Sequence, residues 1–186
     1  MSTDKEEEIL SLLEQSITFE RGFRLLMSTY QSVLYRHARQ MVFDHEDAND
    51  VIQNTFIKVY RNIARFEKKS KLYTWLYRIA TNEAITFLNA KNKHPTSQIH
   101  EGAGALYAET LKADVYFEGD TLQMKLQQAI AELPDKQRAV FNLRYFEEMP
   151  YEEMSKIMET SVGALKASYH HAAKKIELFL TASDTI

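Results

Sequence analysis

The chain has 186 residues, 45% of them hydrophobic and 26% charged, with a net charge of -3, the make-up of a folded globular protein with apolar material for one large or two small cores. It contains no cysteine, which excludes disulfides, cysteine-based zinc sites and thiol catalysis. The first residues, Met1-Ser-Thr-Asp-Lys-Glu-Glu-Glu8, are acidic and lack an apolar core, and no run approaches the roughly 18–20 apolar residues of a membrane span. Neither a secretion signal nor membrane insertion is therefore expected, and the expected location is the cytoplasm.

Only five glycines and three prolines occur, and apolar residues recur at helical spacing, which predicts an all-α protein. Residues 1–19 form an acidic N-terminal segment with one short helix; six acids against one base give -5 over residues 1–20. Phe23, Leu26, Met27, Tyr30, Leu34, Ala38 and Met41 make the stripe of the next helix, which ends near Asp44-His-Glu-Asp47. Ala48, Val51, Ile52, Thr55, Phe56, Val59 and Ile63 make another, with Asp44 or Asp47 as N-cap. The acids around Asp44, Glu46, Asp47 and Asp50 are accounted for by capping and by the helix dipole. His45 has no histidine four residues on, so no metal site is expected there.

The third main helix carries Leu72, Trp75, Leu76, Ile79, Ala80 and Phe87 inward, with Ser70 as its expected N-cap. Its flank is basic: residues 61–94 hold eight Lys and Arg against Glu67 and Glu83, a net of +6. Within it, Lys69-Ser-Lys-Leu-Tyr-Thr-Trp-Leu-Tyr-Arg-Ile-Ala-Thr-Asn82 joins basic, aromatic and amide side chains. That mixture suits single-stranded DNA, because cations track phosphates while aromatic faces stack on unpaired bases at roughly 1–3 kcal/mol each. Trp75 lies on the apolar stripe, so it reads equally as core or as a stacking platform. Tyr73 and Tyr77 share another face, and this aromatic pair is expected to remain near the surface.

Pro95, Thr96, Ser97, Gly102, Gly104 and Gly119 mark residues 92–120 as a linker, with five acids against one base, -4, over 95–120. It divides a first domain at 20–91 from a second at 121–182. The acidic flanks either keep the chain soluble or shield a basic groove. Beyond the linker, Leu122, Leu126, Ala129, Ile130 and Leu133 make a helix stopped by Pro134. A second runs from Asp135 through Val140, Leu143 and Phe146 and ends before Pro150. A third spans 151–158, and after a turn at Glu159-Thr-Ser161 a long one runs from about Val162 to Leu180. The last two suggest a helix-turn-helix.

In that last helix Val162, Leu165, Tyr169, Ala172 and Ile176 share one face, leaving Gly163, Lys166, Ala167, His170 and Lys174 opposite. Ser161 is the expected N-cap, and residues 161–176 contain no acid. Such a face fits a major-groove reader, and it also fits a solvated amphipathic helix. His170 and His171 are adjacent and point to different faces, which disfavours chelation. No nucleophile motif, phosphate loop or paired catalytic carboxylates stand out, so neither catalysis nor a cofactor is expected.

Three motifs, taken in order, resemble the sigma-70 family of RNA polymerase sigma factors: Asp47-Ala-Asn-Asp-Val-Ile-Gln-Asn-Thr-Phe56, Tyr73-Thr-Trp-Leu-Tyr-Arg-Ile-Ala80 with Asn82, and Leu133-Pro through Ser161-Val-Gly-Ala-Leu-Lys166. The likeness runs from about 20 to 90 and from about 120 to 180, and is greatest to the small extracytoplasmic-function (ECF) group, which keeps the second and fourth conserved sigma domains. It implies an initiation factor that binds core RNA polymerase through its β′ and β subunits, binds promoter DNA, and is held by an anti-sigma factor. Asp47, Asp50, Gln53 and Asn54 then correspond to the face that docks on the β′ clamp helices. Phe66, Lys69, Lys71, Tyr73, Trp75, Arg78 and Asn82 correspond to the surface that captures the unwound minus-ten strand. Ser161, Lys166, Ala167, Ser168, His170, His171 and Lys174 correspond to the reader of the minus-thirty-five element.

The chain departs from the family at several of these places. Ala167, Ser168, His171 and Ala172 stand where arginines are common, Asn54 where an acid is frequent, and Glu159 where glycine often sits. The loop reads Glu67-Lys-Lys-Ser70 in place of a form with glycine and aspartate. Two other functions remain compatible with the residues: a helix-turn-helix regulator acting without polymerase, and a helical adaptor that binds no nucleic acid. Co-purification with core polymerase separates all three.

Overall fold

A computed structural model describes residues 3–93 and 121–182; the expected linker, apart from its first two residues, lies outside them. Among the described residues there are eight α-helices and no strand. The first half holds α1 (Thr3–Leu13), α2 (Phe19–Val42), α3 (His45–Asn62), a 3-10 turn (Ile63–Arg65) and α4 (Leu72–Lys93). The second holds α5 (Thr121–Ala131), α6 (Asp135–Tyr145), α7 (Tyr151–Met158) and α8 (Val162–Ala182), with α7, the turn and α8 as the helix-turn-helix.

Local chemistry explains most boundaries. Phe43 enters the left-handed region (φ 67°) and its N–H returns to Arg39 O, which closes α2. Asp44 then turns extended, and its carboxylate accepts from the N–H groups of Glu46 at 2.8 Å and Asp47 at 3.0 Å. The N-cap of α3 is thus Asp44 and not Asp47. Ser161 caps α8 as expected, accepting from Ala164 N at 3.3 Å. Ser70 does not cap α4: the helix starts after Lys71, and the Leu72 N–H donates at 2.6 Å to Glu6 of α1.

The expected stripes of α2, α3 and α8 face inward, as the 3.6-residue period requires. On α5 the expected stripe departs at Leu122, which lies in the first turn and is 62% exposed. One apolar core runs through both halves: Ile9, Leu26, Leu34, Val51, Leu72 and Leu76 share it with Val140, Leu143, Met154, Ile157 and Leu165. A smaller cluster joins Phe43 to Ala129, Ile130, Leu133, Phe141, Ala172 and Ile176.

A buried guanidinium ties the halves together. Arg138 donates to Met41 O at 2.8 Å, Ala131 O at 2.8 Å, Leu133 O at 3.0 Å and Ile130 O at 3.3 Å. Those acceptors include last-turn carbonyls of α2 and α5, which have no partner inside their helices and form the negative ends of the dipoles. Phe43 covers the guanidinium 4.7 Å away and Asp135 lies at 3.5 Å. Asn142 adds a bond to Gln40 O at 3.1 Å.

Beneath this junction His37 is fully buried on α2, with Nε2 2.9 Å from Thr81 Oγ1 and its ring 5.2 Å from Tyr77. Burial lowers its pKa to about 4. The folded state therefore refuses a proton that the unfolded chain takes up below about 6.5, and stability is lost as pH falls through that window. Between pH 7 and 5 this group alone should cost ~2 kcal/mol. Urea unfolding of wild type and His37→Gln at both pH values checks it, with the variant expected to show the shallower dependence.

Candidate nucleic-acid interface

The residues expected on α4 divide between two faces of the helix, Phe66 and Trp75 with Arg78 and Asn82 on one and Tyr73 with Tyr77 on another. Phe66 follows the 3-10 turn, its N–H bonded to Ile63 O at 3.0 Å, and its ring lies 5.2 Å from Trp75. Both are half-buried, so Trp75 is part floor and part surface. Tyr73 is also half-buried and meets Tyr77 edge-on at 6.3 Å. Lys69, Lys71, Arg78 and Asn82 are exposed along the same helix and its preceding loop. Lys71 Nζ sits 5.6 Å over the Tyr73 ring, and Lys69 pairs with Glu67.

The second half of the molecule lies over part of this surface. Tyr77 is 5% exposed, and its hydroxyl donates to Glu147 at 2.7 Å. Burial, then the Glu147 bond and charge, push the phenol well above its ordinary pKa, with Arg36 opposing. Tyr77 therefore does not stay near the surface; of the tyrosine pair, Tyr73 does. Glu153 of α7 takes Lys71 at 3.1 Å and Thr74 at 3.0 Å, and Glu159 takes Arg78 at 2.5 Å. Groups suited to phosphates and base edges meet carboxylates instead.

A second site is a groove of about 780 Å³ between α2 and α3. Its floor is apolar, built from Phe23, Met27, Ile52 and Phe56, with Ile57 and Tyr60 exposed at 41% and 46%. Asp50 and Gln53 line it. Asn54 is exposed but outside the lining, and Asp47 is held by Lys91 of α4 at 2.6 Å. Two of the four residues expected together are thus brought to the groove. Tyr60 stands edge-on to Phe19 and Phe23 at 5.3 and 5.0 Å, and its hydroxyl bonds Glu20, which raises its pKa. Sequence reasoning missed Ile57 and Tyr60; the available signal was two large apolar residues off the buried stripe of α3.

On α8 the outward face is as expected. Ser161, Gly163, Lys166, Ala167, His170, His171 and Lys174 are exposed, and Ser168 is half-buried. A Cβ added at Gly163 would meet nothing within 4 Å, so this end of the helix is open to close approach. Lys166 Nζ lies 5.7 Å over the Tyr151 ring, which also carries Arg144 at 5.3 Å. Among the described residues no group of three or more metal-ligating side chains converges, and no helix is long and apolar enough to cross a membrane.

Residues 26–94 match the Sigma-70 region 2 family and residues 123–176 match Sigma-70, region 4. The RNA polymerase sigma-H factor of Pseudomonas aeruginosa is 32% identical over 166 residues, 85% of this chain and 86% of that one. The ECF RNA polymerase sigma-E factor of Haemophilus influenzae is 33% identical over 165 residues, 85% and 87% of the two chains. Among solved structures, CnrH in complex with the cytosolic domain of CnrY superposes with a TM-score of 0.66 at 19% identity, over 96% of each chain. The sigma factor RpoE bound to the anti-sigma factor NepR from Bartonella quintana gives 0.65 at 18%, over 86% of this chain and 96% of that one; at such identities the likeness concerns the fold. With a loop-fed aromatic helix in the first half, a helix-turn-helix in the second, and relatives matching across both, the chain belongs to the sigma-70 family of RNA polymerase sigma factors, in its ECF group.

Proposed function

We propose that this sigma factor binds core RNA polymerase through the α2–α3 groove, captures the melted minus-ten strand on the Phe66–Trp75 surface, and reads the minus-thirty-five element with α8. Its domains are 20–91 and 121–182, joined by 92–120. The work is binding, and the polymerase performs the nucleotidyl transfer. Unstacking a duplex costs a few kcal/mol per flipped base, and each base stacked on an aromatic face returns roughly 1–3 kcal/mol. The observation that carries this reading is the Phe66–Trp75 ring pair, set beside a basic loop with exposed Lys69 and on the helix face that exposes Arg78 and Asn82.

Promoter engagement requires the halves to part. Elements about 25 base pairs apart are separated by some 85 Å at roughly 3.4 Å per pair. A compact chain of this size has a radius of gyration of about 16 Å, too small to meet both. The 27 residues of 94–120 reach at most about 90 Å, enough to allow it. A protein partner that holds such a factor, of the kind bound to RpoE in the structure with NepR, would act on this equilibrium.

The test uses holoenzyme reconstituted with core polymerase and a promoter fragment selected by run-off transcription from a mixed library. Trp75→Ala should lower permanganate reactivity of minus-ten thymines about 5-fold or more, from the loss of ~1–3 kcal/mol of stacking per base, and Asn82→Ala should lower it too, while core binding is unchanged in both. Reactivity equal to wild type contradicts the reading.

A further inference from the structure

The loop that feeds the capture surface is held from outside. Residues 66–71 run from Phe66 to the first turn of α4, and Lys68 within them has a left-handed backbone, φ 55°, disfavoured for a residue with a Cβ. Left alone, such a loop relaxes to other conformers. Two carboxylates hold it, Glu6 on α1 and Glu14 just past its end. Glu14 takes Lys68 Nζ at 2.5 Å, and Glu6 accepts from Leu72 N at 2.6 Å, a charge-assisted bond at a positive helix end. The cap that Ser70 does not supply thus comes from a residue 66 positions away.

α1 is itself seated firmly enough to act this way. Ile9 is fully buried in the core. At Gly22 of α2 the backbone of α1 approaches so closely that an added Cβ would stand 2.8 Å from Leu12 Cβ and 3.0 Å from Leu12 C and Leu13 N. Thr18 Oγ1 donates to Leu12 O at 2.7 Å and closes the α1 end. Glu6 lies toward Tyr30, whose pKa is raised to about 12 by burial and then by that charge.

We infer that α1 is a splint for base capture: Glu6 and Glu14 are positioning residues that fix both arms of the loop, and so aim Phe66 and Trp75 before the strand arrives. This rests on the capture role proposed above. It also gives the acidic N-terminal segment a task other than solubility or shielding, since its carboxylates hold the loop and not the DNA.

The experiment measures two steps separately, closed-complex affinity and the rate of isomerisation, with the same holoenzyme and promoter fragment carrying 2-aminopurine in the minus-ten element. In the Glu6→Ala/Glu14→Ala double variant the closed complex should form with unchanged affinity, while isomerisation slows about tenfold, the scale of a lost cap. Glu6→Gln in place of Glu6→Ala should recover most of the rate, because its amide oxygen still accepts from Leu72 N. A double variant that isomerises like wild type overturns the inference, as does an equal loss in both steps with no recovery by glutamine. Should the double variant fail to fold, Glu14→Ala alone decides, since its ion pair is exposed and adds little stability: a rate equal to wild type overturns, a slower one supports. Trp75→Ala on the same fragment separates the two readings. If it melts normally the capture surface itself is wrong; if it is slow while the double variant is normal, only the splint is.

Discussion

Replacing Arg138 by methionine lowers the unfolding free energy by about 3–5 kcal/mol, the range for breaking a buried charged network by removing one member. Methionine fills much of the space but donates nothing. Carbonyls of Met41, Ala131 and Leu133 at helix ends are then buried without a partner, each costing ~1–3 kcal/mol unless water enters. Arg138→Lys should recover less than half, because an ammonium with three donors cannot serve the four carbonyls that the guanidinium fork reaches. Urea unfolding at pH 7 measures all three proteins, and a loss below ~1 kcal/mol for methionine would show that the carbonyls find other donors.

Converting Glu147, Glu153 and Glu159 together to glutamine should raise the affinity of the free protein for a short single-stranded oligonucleotide about 30-fold. In the folded chain these carboxylates hold Tyr77, Lys71, Thr74 and Arg78, and Lys71 and Arg78 belong to the proposed capture surface. Strand and second domain therefore compete, and apparent affinity scales with the open fraction. The Glu147 and Glu153 side chains are 9% and 16% exposed, so they supply most of the ~2 kcal/mol involved, whereas solvent screens Glu159 at 66%. Fluorescence anisotropy with a labelled oligonucleotide reads the change. Neutralising the exposed Glu7, Glu8 and Glu177 instead alters net charge equally and controls for non-specific attraction. Equal gains from both triples would mean that the cover does not compete.

What was legible in the sequence was whatever local spacing determines. The stripes of α2, α3 and α8 follow from the helical period, and Ser161 caps α8 because its partner is three residues away. The helix-turn-helix and the basic aromatic helix were equally plain. What escaped depends on residues distant in the chain. Ser70 looked like a cap, but Glu6 has the place through tertiary contact. Tyr77 looked surface-bound, and only the docking of the second half buries it against Glu147. Arg138 sits in a helix of low apolar content, and nothing nearby in sequence announces that its acceptors come from two other helix ends. At the groove, Asp50 and Gln53 were found by motif, while Ile57 and Tyr60 needed the packing of α2 to show that they border a cleft.

The turn between α7 and α8 holds Glu159 at φ 50° and ψ 42°, where a Cβ is disfavoured by about 1–2 kcal/mol. While the molecule is shut, the Arg78 ion pair offsets part of that tension. Once it opens, the tension has no counterweight, and a loose negative charge is left three residues before α8 begins, near where a duplex read by that helix would bring its phosphates. One side chain thus tilts the balance twice toward the shut form, by attraction within the protein and by repulsion from the double helix. A glycine in this turn would remove both biases at once, leaving a factor quicker to engage its promoter and harder to keep silent.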